Sequence, residues 1–280
     1  MMKRFLIPVA ALCLLASCGG TNENPDARRL FDDADAAFRS GDYTESTILL
    51  DSLQKGFPEE IAIQREALAL RPKVIEQLAL LKIASVDSMT QVDKSMMEQL
   101  KPMLKWVKTP GMIEGYWTYA KSYNPNFMNT TGVEARVSEI GQFYVVSSAN
   151  PSSLKHTSVT LTIDGQSATT PVVPYDGESN YRIGGGEVIT FSPEQSDTIG
   201  AFAARILSST SPKKMGITFN GEKGKKTITL TEAQARAIEM AYLYSNAVIR
   251  ARDNEVERQR LERTIEIAKR QAASATAGSE

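Results

Sequence analysis

Ser158-Val159-Thr160-Leu161-Thr162-Ile163-Asp164-Gly165 alternates polar and apolar side chains and then stops at an Asp-Gly pair. Successive side chains of a strand point to opposite faces, so this run is read as a strand that turns Val159, Leu161 and Ile163 to a core. Asp-Gly tolerates the positive φ of a tight hairpin turn, so the chain should return antiparallel. The same signals recur on both sides. Strands are expected at 133–136 continuing to 145–146, and at 170–173, 188–191, 215–220 and 226–230, with further turns at Asp176-Gly177 and Asn220-Gly221. One helix interrupts them over 197–207, placing Ile199, Phe202, Ala203, Ile206 and Leu207 on one face. Residues 109–230 therefore read as an antiparallel β domain, a sheet or small sandwich with a helix packed across it.

The flanks read as helical, which makes the fold class α+β. Over 26–108, Leu68, Val74, Ile75, Leu78, Leu81, Met96, Leu100 and Leu104 recur at helical spacing. Pro72 lies inside that run, and a proline in a helix interior costs ~3 kcal/mol or more, so a kink or break is expected near Arg71. A second break is expected around Ser85 and Ser88. After the strands, Thr231 and Gln234 form a capping-box pattern that opens a long helix over 231–272. Ile238, Tyr242, Ser245, Ile249, Arg252 and Val256 are spaced as a heptad seam, and Leu261, Ile265 and Ala268 form a separate stripe. Residues 273–280 are small and polar and are read as a disordered tail. Antiparallel pairing of this helix with the earlier ones would build a stalk.

Composition removes several functions. Lys and Arg number 32 against 33 Asp and Glu, so no cationic excess drives nucleic-acid binding. His156 is the single histidine and the two cysteines are Cys13 and Cys18, which leaves no residues for an imidazole or thiolate zinc site. No metal and no cofactor is expected.

The N-terminus supplies an address. Lys3 and Arg4 precede an apolar run, too short for the ~20 residues a membrane span needs, that ends at Leu15-Ala16-Ser17-Cys18. These four residues resemble the lipobox of bacterial lipoproteins, which implies cleavage before Cys18, acylation of its thiol and anchoring in the envelope. The absence of Asp after Cys18 implies, by that family's sorting rule, the outer membrane. Residues 1–17 are then the signal peptide and 18–25 a lipidated tether. From Leu30, LFDDADAAFRSGDYTESTILLDSLQKGFP resembles one tetratricopeptide unit, with Ala34 and Ala37 as small contacts, Gly41-Asp42-Tyr43 as the turn and Pro58 as the closing proline. It departs from that pattern at Asp33 and at Ser46, where alanine is usual. A lone hairpin of this kind must pack on something else. The arrangement as a whole is similar to uncharacterised envelope lipoproteins with a helical front, a strand domain and a C-terminal helix.

Chemistry is sparse. Ser-x-x-Lys occurs at Ser152/Lys155 and at Ser211/Lys214, both in expected loops rather than on a helix that would bring lysine to serine. Gly184-Gly185-Gly186 precedes a strand and is read as a turn, not a phosphate cradle. His156 with Asp164 or Glu139 could join a Ser-His-acid set, but no nucleophile elbow accompanies it. Tyr116, Trp117 and Tyr119 head the densest aromatic patch and are the candidate ligand face for a glycan or peptide, with alternation splitting Tyr116 from the other two. Asp51-Ser52-Leu53, Asp87-Ser88-Met89 and Asp197-Thr198-Ile199 resemble a bacterial O-glycosylation sequon, which makes Ser52, Ser88 and Thr198 candidate glycosylation sites. The leading expectation is a non-enzymatic, membrane-anchored module with protein partners. A glycan- or peptide-binding lipoprotein is the alternative, followed by an envelope hydrolase built on a carboxylate pair.

Overall fold

A computed structural model of the chain describes residues 23–209 and 213–277. It is α+β and divides into a helical unit, Met1–Leu81 with Glu262–Glu280, and a larger unit, Lys82–Leu261. The lipobox with Cys18 lies outside the described residues.

In the helical unit, α1 (Pro25–Ser40) starts behind Asn24, whose side chain accepts from the Asp26 N–H, and ends at a left-handed Gly41. Asp42 then caps α2 (Tyr43–Gly56). The hairpin packs on the start of α3 (Ile61–Leu100), burying Ala27, Ala34, Leu50, Leu53, Ile63, Ala67, Leu70 and Val74 in one cluster. Ser46, the departure from alanine, is fully buried and its hydroxyl has no hydrogen-bond partner.

The expected breaks in α3 are not found, because the helix runs unbroken through Pro72 and through Ser85–Ser88. The carbonyl that Pro72 leaves without its helical donor belongs to Leu68, a residue 61 % exposed on the side of the helix away from the buried Ala67, Leu70 and Val74. Pro72, Ala79, Val86, Asp93 and Leu100 are buried at intervals of seven, with half-buried Glu76, Ile83, Thr90 and Met97 between them. This is a heptad pattern, and within each unit it packs antiparallel against the part of the C-terminal helix, α5 (Glu232–Ala277), that belongs to that unit. Within the larger unit Arg250 donates to the buried Asp93 at 2.6 and 3.0 Å and Arg258 pairs with Asp87 at 3.1 Å; within the helical unit Lys269 lies 3.6 Å from Glu76.

The seam expected on α5 holds over its first four positions, with Ile238 and Ser245 buried and Tyr242 and Ile249 half-buried, and fails at the last two. Val256 is 63 % exposed and Arg252 faces water. Instead the inward positions recur at intervals of four and three, with Ala247, Leu261 and Ala268 buried and Ala251, Asn254, Arg258 and Ile265 half-buried. The stripe at Leu261, Ile265 and Ala268 is its downstream half. Small residues carry the upstream half, which lets the helices approach closely and hides the seam from a search for large apolar residues. The helix also continues to Ala277, past the expected tail boundary.

The larger unit holds two antiparallel sheets, ordered β1-β2-β3-β4-β8-β7 and β10-β9-β5-β6. The first contains β1 (Leu104–Val107), β2 (Tyr116–Tyr119), β3 (Gly132–Ser138), β4 (Phe143–Ala149), β7 (Asn180–Ile183) and β8 (Gly186–Phe191); the second contains β5 (His156–Ile163), β6 (Gln166–Thr169), β9 (Met215–Gly221) and β10 (Gly224–Thr229). Val145, Ile189 and Phe191 of one sheet share a core with Val159, Leu161, Ile217 and Phe219 of the other, closed by α4 (Pro193–Leu207) and by Ile238 and Tyr244 of α5. The result is a sandwich with a helix across it, the second of the two arrangements expected, and the alternation at 158–163 turns Val159, Leu161 and Ile163 into its core.

Several boundaries move. The β domain begins at Leu104, not 109, because Pro102 ends the helix in a short 3-10 turn and Leu104–Val107 pairs with β2. The strand expected to run from 133 to 146 is a hairpin, folded at Gly141 with φ 87°. A Cβ there would stand 2.4 Å from Val248, so glycine also allows α5 to approach. Asp164 and Gly165, at φ 46° and 86°, make the expected turn between β5 and β6. The Asn220-Gly221 turn shifts to Glu222-Lys223, with Gly221 paired to Gly224. Asp176-Gly177 turns within a loop, and 170–173 runs extended beside β5 through Thr170 N–Val159 O and Val173 N–Thr157 O bonds without joining a strand. Helix α4 starts four residues earlier than expected, at Pro193, because Ser192 and Gln195 form a capping box.

Candidate functional site

The polar centre of the sandwich is built where β5 enters it. His156, fully buried, hydrogen-bonds through Nε2 to the Ser147 Oγ at 2.9 Å and through Nδ1 to the Glu187 Oε2 at 2.9 Å. The carboxylate accepts, so Nδ1 carries the proton and Nε2 accepts from the serine. Ser147 comes from β4 and Glu187 from β8, both on the inward face, and Phe219 sets its ring edge-on to the imidazole at 5.4 Å. Glu187 also accepts the Lys155 N–H at 2.6 Å and the His156 N–H at 2.8 Å. Burial pushes the His156 pKa down against the raising effect of Glu187. Burial alone would raise Glu187, but the bonds from His156 and Lys155 outweigh it and hold the carboxylate low.

This connectivity is that of a Ser-His-acid triad, with Glu187 in place of the acids proposed from sequence and Ser147 as the serine. Asp164 instead accepts from the Lys213 and Lys214 N–H groups, and Glu139 from Gly115 N. Ser147 and His156 are 0 % exposed and Glu187 1 %, so no substrate carbonyl can reach the serine. The set instead holds structure. It fixes Lys155 in a left-handed conformation (φ 53°), and its carboxylate lies 3.9 Å from the Arg182 Nε.

Those two cations border an open cleft of about 580 Å³, with Thr157, Val172, Pro174, Tyr175 and Glu222 completing its lining. Arg182 on β7 donates to the Asn180 Oδ1 at 2.6 Å and lies 5.0 Å from the Tyr175 ring centre. Lys155 Nζ is 3.1 Å from the Glu222 carboxylate. Tyr175 and Val172 are each 63 % exposed. The wall behind them is tied down by Val173 N–Thr157 O at 2.7 Å and by the buried Asn180 amide, which donates to the Val173 O at 2.7 Å. The cleft thus pairs an accessible ring and apolar surface with charged groups fixed from beneath.

The aromatic patch divides across its sheet as alternation requires. Tyr116 faces outward, with the Arg136 guanidinium 4.0 Å from its ring centre, and its hydroxyl donates to the Glu134 Oε2 at 3.2 Å. Burial raises its pKa. With Tyr123 and Phe127 it lines a smaller cleft of about 230 Å³. Trp117 and Tyr119 lie on the other face, Trp117 beside Trp106 at 5.1 Å and Tyr119 buried opposite Leu104. The three do not form one face. Ser52, Ser88 and Thr198 are all exposed on helices, and Ser52 donates to the Ile48 carbonyl. Ser152 Oγ accepts from Leu154 N while Lys155 reaches Glu222, so that Ser-x-x-Lys pair is not assembled; Ser211 lies outside the described residues. Sequence reasoning missed Ser147, Tyr175, Arg182 and Glu187. A carboxylate at an inward position beside Val188 and Ile189 was the available signal for the last.

Among the described residues no group of three or more histidine, cysteine or acidic side chains is placed to hold a metal, and no helix is long and apolar enough to cross a membrane. Comparison with protein-family models, curated proteins and solved structures gave no match.

Proposed function

We propose that this chain is a lipid-anchored lipoprotein of the bacterial envelope that acts by binding, with the cleft of Lys155, Tyr175, Arg182 and Glu222 as its recognition site and no chemical step of its own. The observation that carries this reading is the use made of the Ser147-His156-Glu187 set. Its polar atoms are closed off from solvent and bonded to one another and to the backbone of a residue lining the cleft, which is a device for rigidity rather than turnover. The anchor is supported by the Leu15-Ala16-Ser17-Cys18 signal, and placement in the outer membrane by Gly19 in the position after the cysteine.

An assembly role with protein partners is supported by the helical unit, where Ile48, Ile61, Leu68, Leu81 and Ile267 are each more than half exposed. The test uses the full chain in its native membrane. Wild type should take up labelled palmitate and fractionate with membranes, and Cys18→Ala should lose both properties. A Cys18→Ala protein that still carries label and sediments with membranes contradicts the anchor.

A further inference from the structure

We infer that the cleft takes a neutral saccharide presenting vicinal hydroxyls, an inference that rests on the reading of this cleft as the binding site. Charge is the first argument. Lys155 is matched by Glu222 at 3.1 Å on the cleft's own surface, and Arg182 by Glu187, which is buried behind the lining 3.9 Å away, so neither cation stands without a counter-charge. An ionic ligand would meet an opposing charge beside each attractive one.

Hydrogen-bonding pattern is the second. The Lys155 ammonium only donates and the Glu222 carboxylate only accepts, and they stand side by side at the cleft rim. A hydroxyl does both, so two adjacent hydroxyls on a ring satisfy the pair at once, one accepting from lysine while its neighbour donates to the carboxylate. Hydrogen bonds to ionised groups are about twice as strong as neutral ones, which suits a ligand without charge of its own.

The third is the ring. Arg182 sits over Tyr175, yet the residue is 63 % exposed, leaving ring surface open for the C–H face of a sugar, with Val172 equally exposed beside it. The cleft's volume, about 580 Å³, lies within the ~300–1,000 Å³ of small-ligand sites. An extended peptide would bind by adding to a strand edge, and on the 170–177 wall four of the backbone groups it would use are taken, Val173 N by Thr157 O, Val173 O by Asn180, and Asp176 N and Gly177 N by Asn180 O. Recognition on this wall runs through side chains.

The experiment is titration of the full-length, detergent-solubilised protein with gluco-, galacto-, manno- and xylo-configured neutral tetrasaccharides, with tetragalacturonate and hexaglutamate as the charged arms, followed by isothermal calorimetry. At least one neutral tetrasaccharide should bind at least ~10-fold more tightly than either charged probe. Tyr175→Ala should weaken it ~10-fold or more, and Glu222→Gln by several-fold, while Tyr175→Phe retains binding. Both positions are exposed, so unchanged thermal melting shows that the fold is intact. Binding of no neutral saccharide above the charged probes, or binding indifferent to Tyr175→Ala, overturns the inference. A photo-crosslinker at Val172 separates the two levels: adducts from native envelope with no saccharide affinity retire the ligand class and keep the cleft, whereas neither result retires both.

Discussion

Replacing Glu187 by alanine should unfold the sandwich more readily than any surface change, because its carboxylate is the hub of the buried network. It accepts from Lys155 N at 2.6 Å, His156 N at 2.8 Å and His156 Nδ1 at 2.9 Å, with 1 % of the residue exposed. Truncation strands two fully buried donors on His156 and a part-buried one at Lys155 N, at about 1–3 kcal/mol for each buried group. Removal of a buried charge returns part of that, which brings the loss to about 3–5 kcal/mol, as for taking one partner from a buried pair. Both tryptophans, Trp106 and Trp117, belong to the sandwich, so urea unfolding at pH 7 followed by fluorescence reports this unit. Hydrogen exchange at the Lys155 and His156 amides should change from protected to fast in the same variant. A loss below about 1 kcal/mol, with both amides still protected, would refute the assignment of Glu187 as the hub.

Three further outcomes follow from the same structure. His156 and Glu187 are both held below their ordinary pKa values of 6.5 and 4.5, so each binds protons more readily unfolded than folded; their contributions are present above those values and are lost as pH falls, first below 6.5 and then below 4.5. His156→Gln should flatten the first of these slopes in a pH series of urea midpoints, and an unchanged slope above pH 5 would place the titration elsewhere. Ser46→Ala should stabilise the helical unit by about 1 kcal/mol, since a buried hydroxyl without a partner is replaced by a methyl group; a lower melting temperature would show that the hydroxyl is satisfied after all. Gly200→Ala should cost about 1–3 kcal/mol, because the new Cβ would stand 2.3 Å from the Tyr242 ring and 2.7 Å from Phe143, and a neutral result would mean that α4 shifts freely on the sheet.

Local signals were legible wherever period and turn chemistry agreed. The alternation of Val159, Leu161 and Ile163, the Asp164-Gly165 turn and the Thr231/Gln234 cap all appear as read. Reading failed where tertiary packing overrode local preference. Pro72 stays inside α3, and the α5 seam runs through Ala247 and Ala251, whose small size suits close helix contact yet gives no hydrophobic signal. The polar centre was half legible: His156 stood out as a lone histidine, but its partners lie 9 and 31 residues away on strands that only the sheet order brings together. Tyr175 and Arg182 sit in an unremarkable loop and a four-residue edge strand, and only the fold of 170–182 around β5 turns them into one wall.

The most direct test is photo-crosslinking in intact cells with a benzophenone amino acid placed at Val172, on the cleft, and at Ile113, which is 94 % exposed and outside its lining. Recognition at the cleft predicts a discrete adduct from position 172, lost in the Tyr175→Ala background, and none from position 113. Equal adducts from both positions, or an adduct from 172 indifferent to Tyr175, would contradict it.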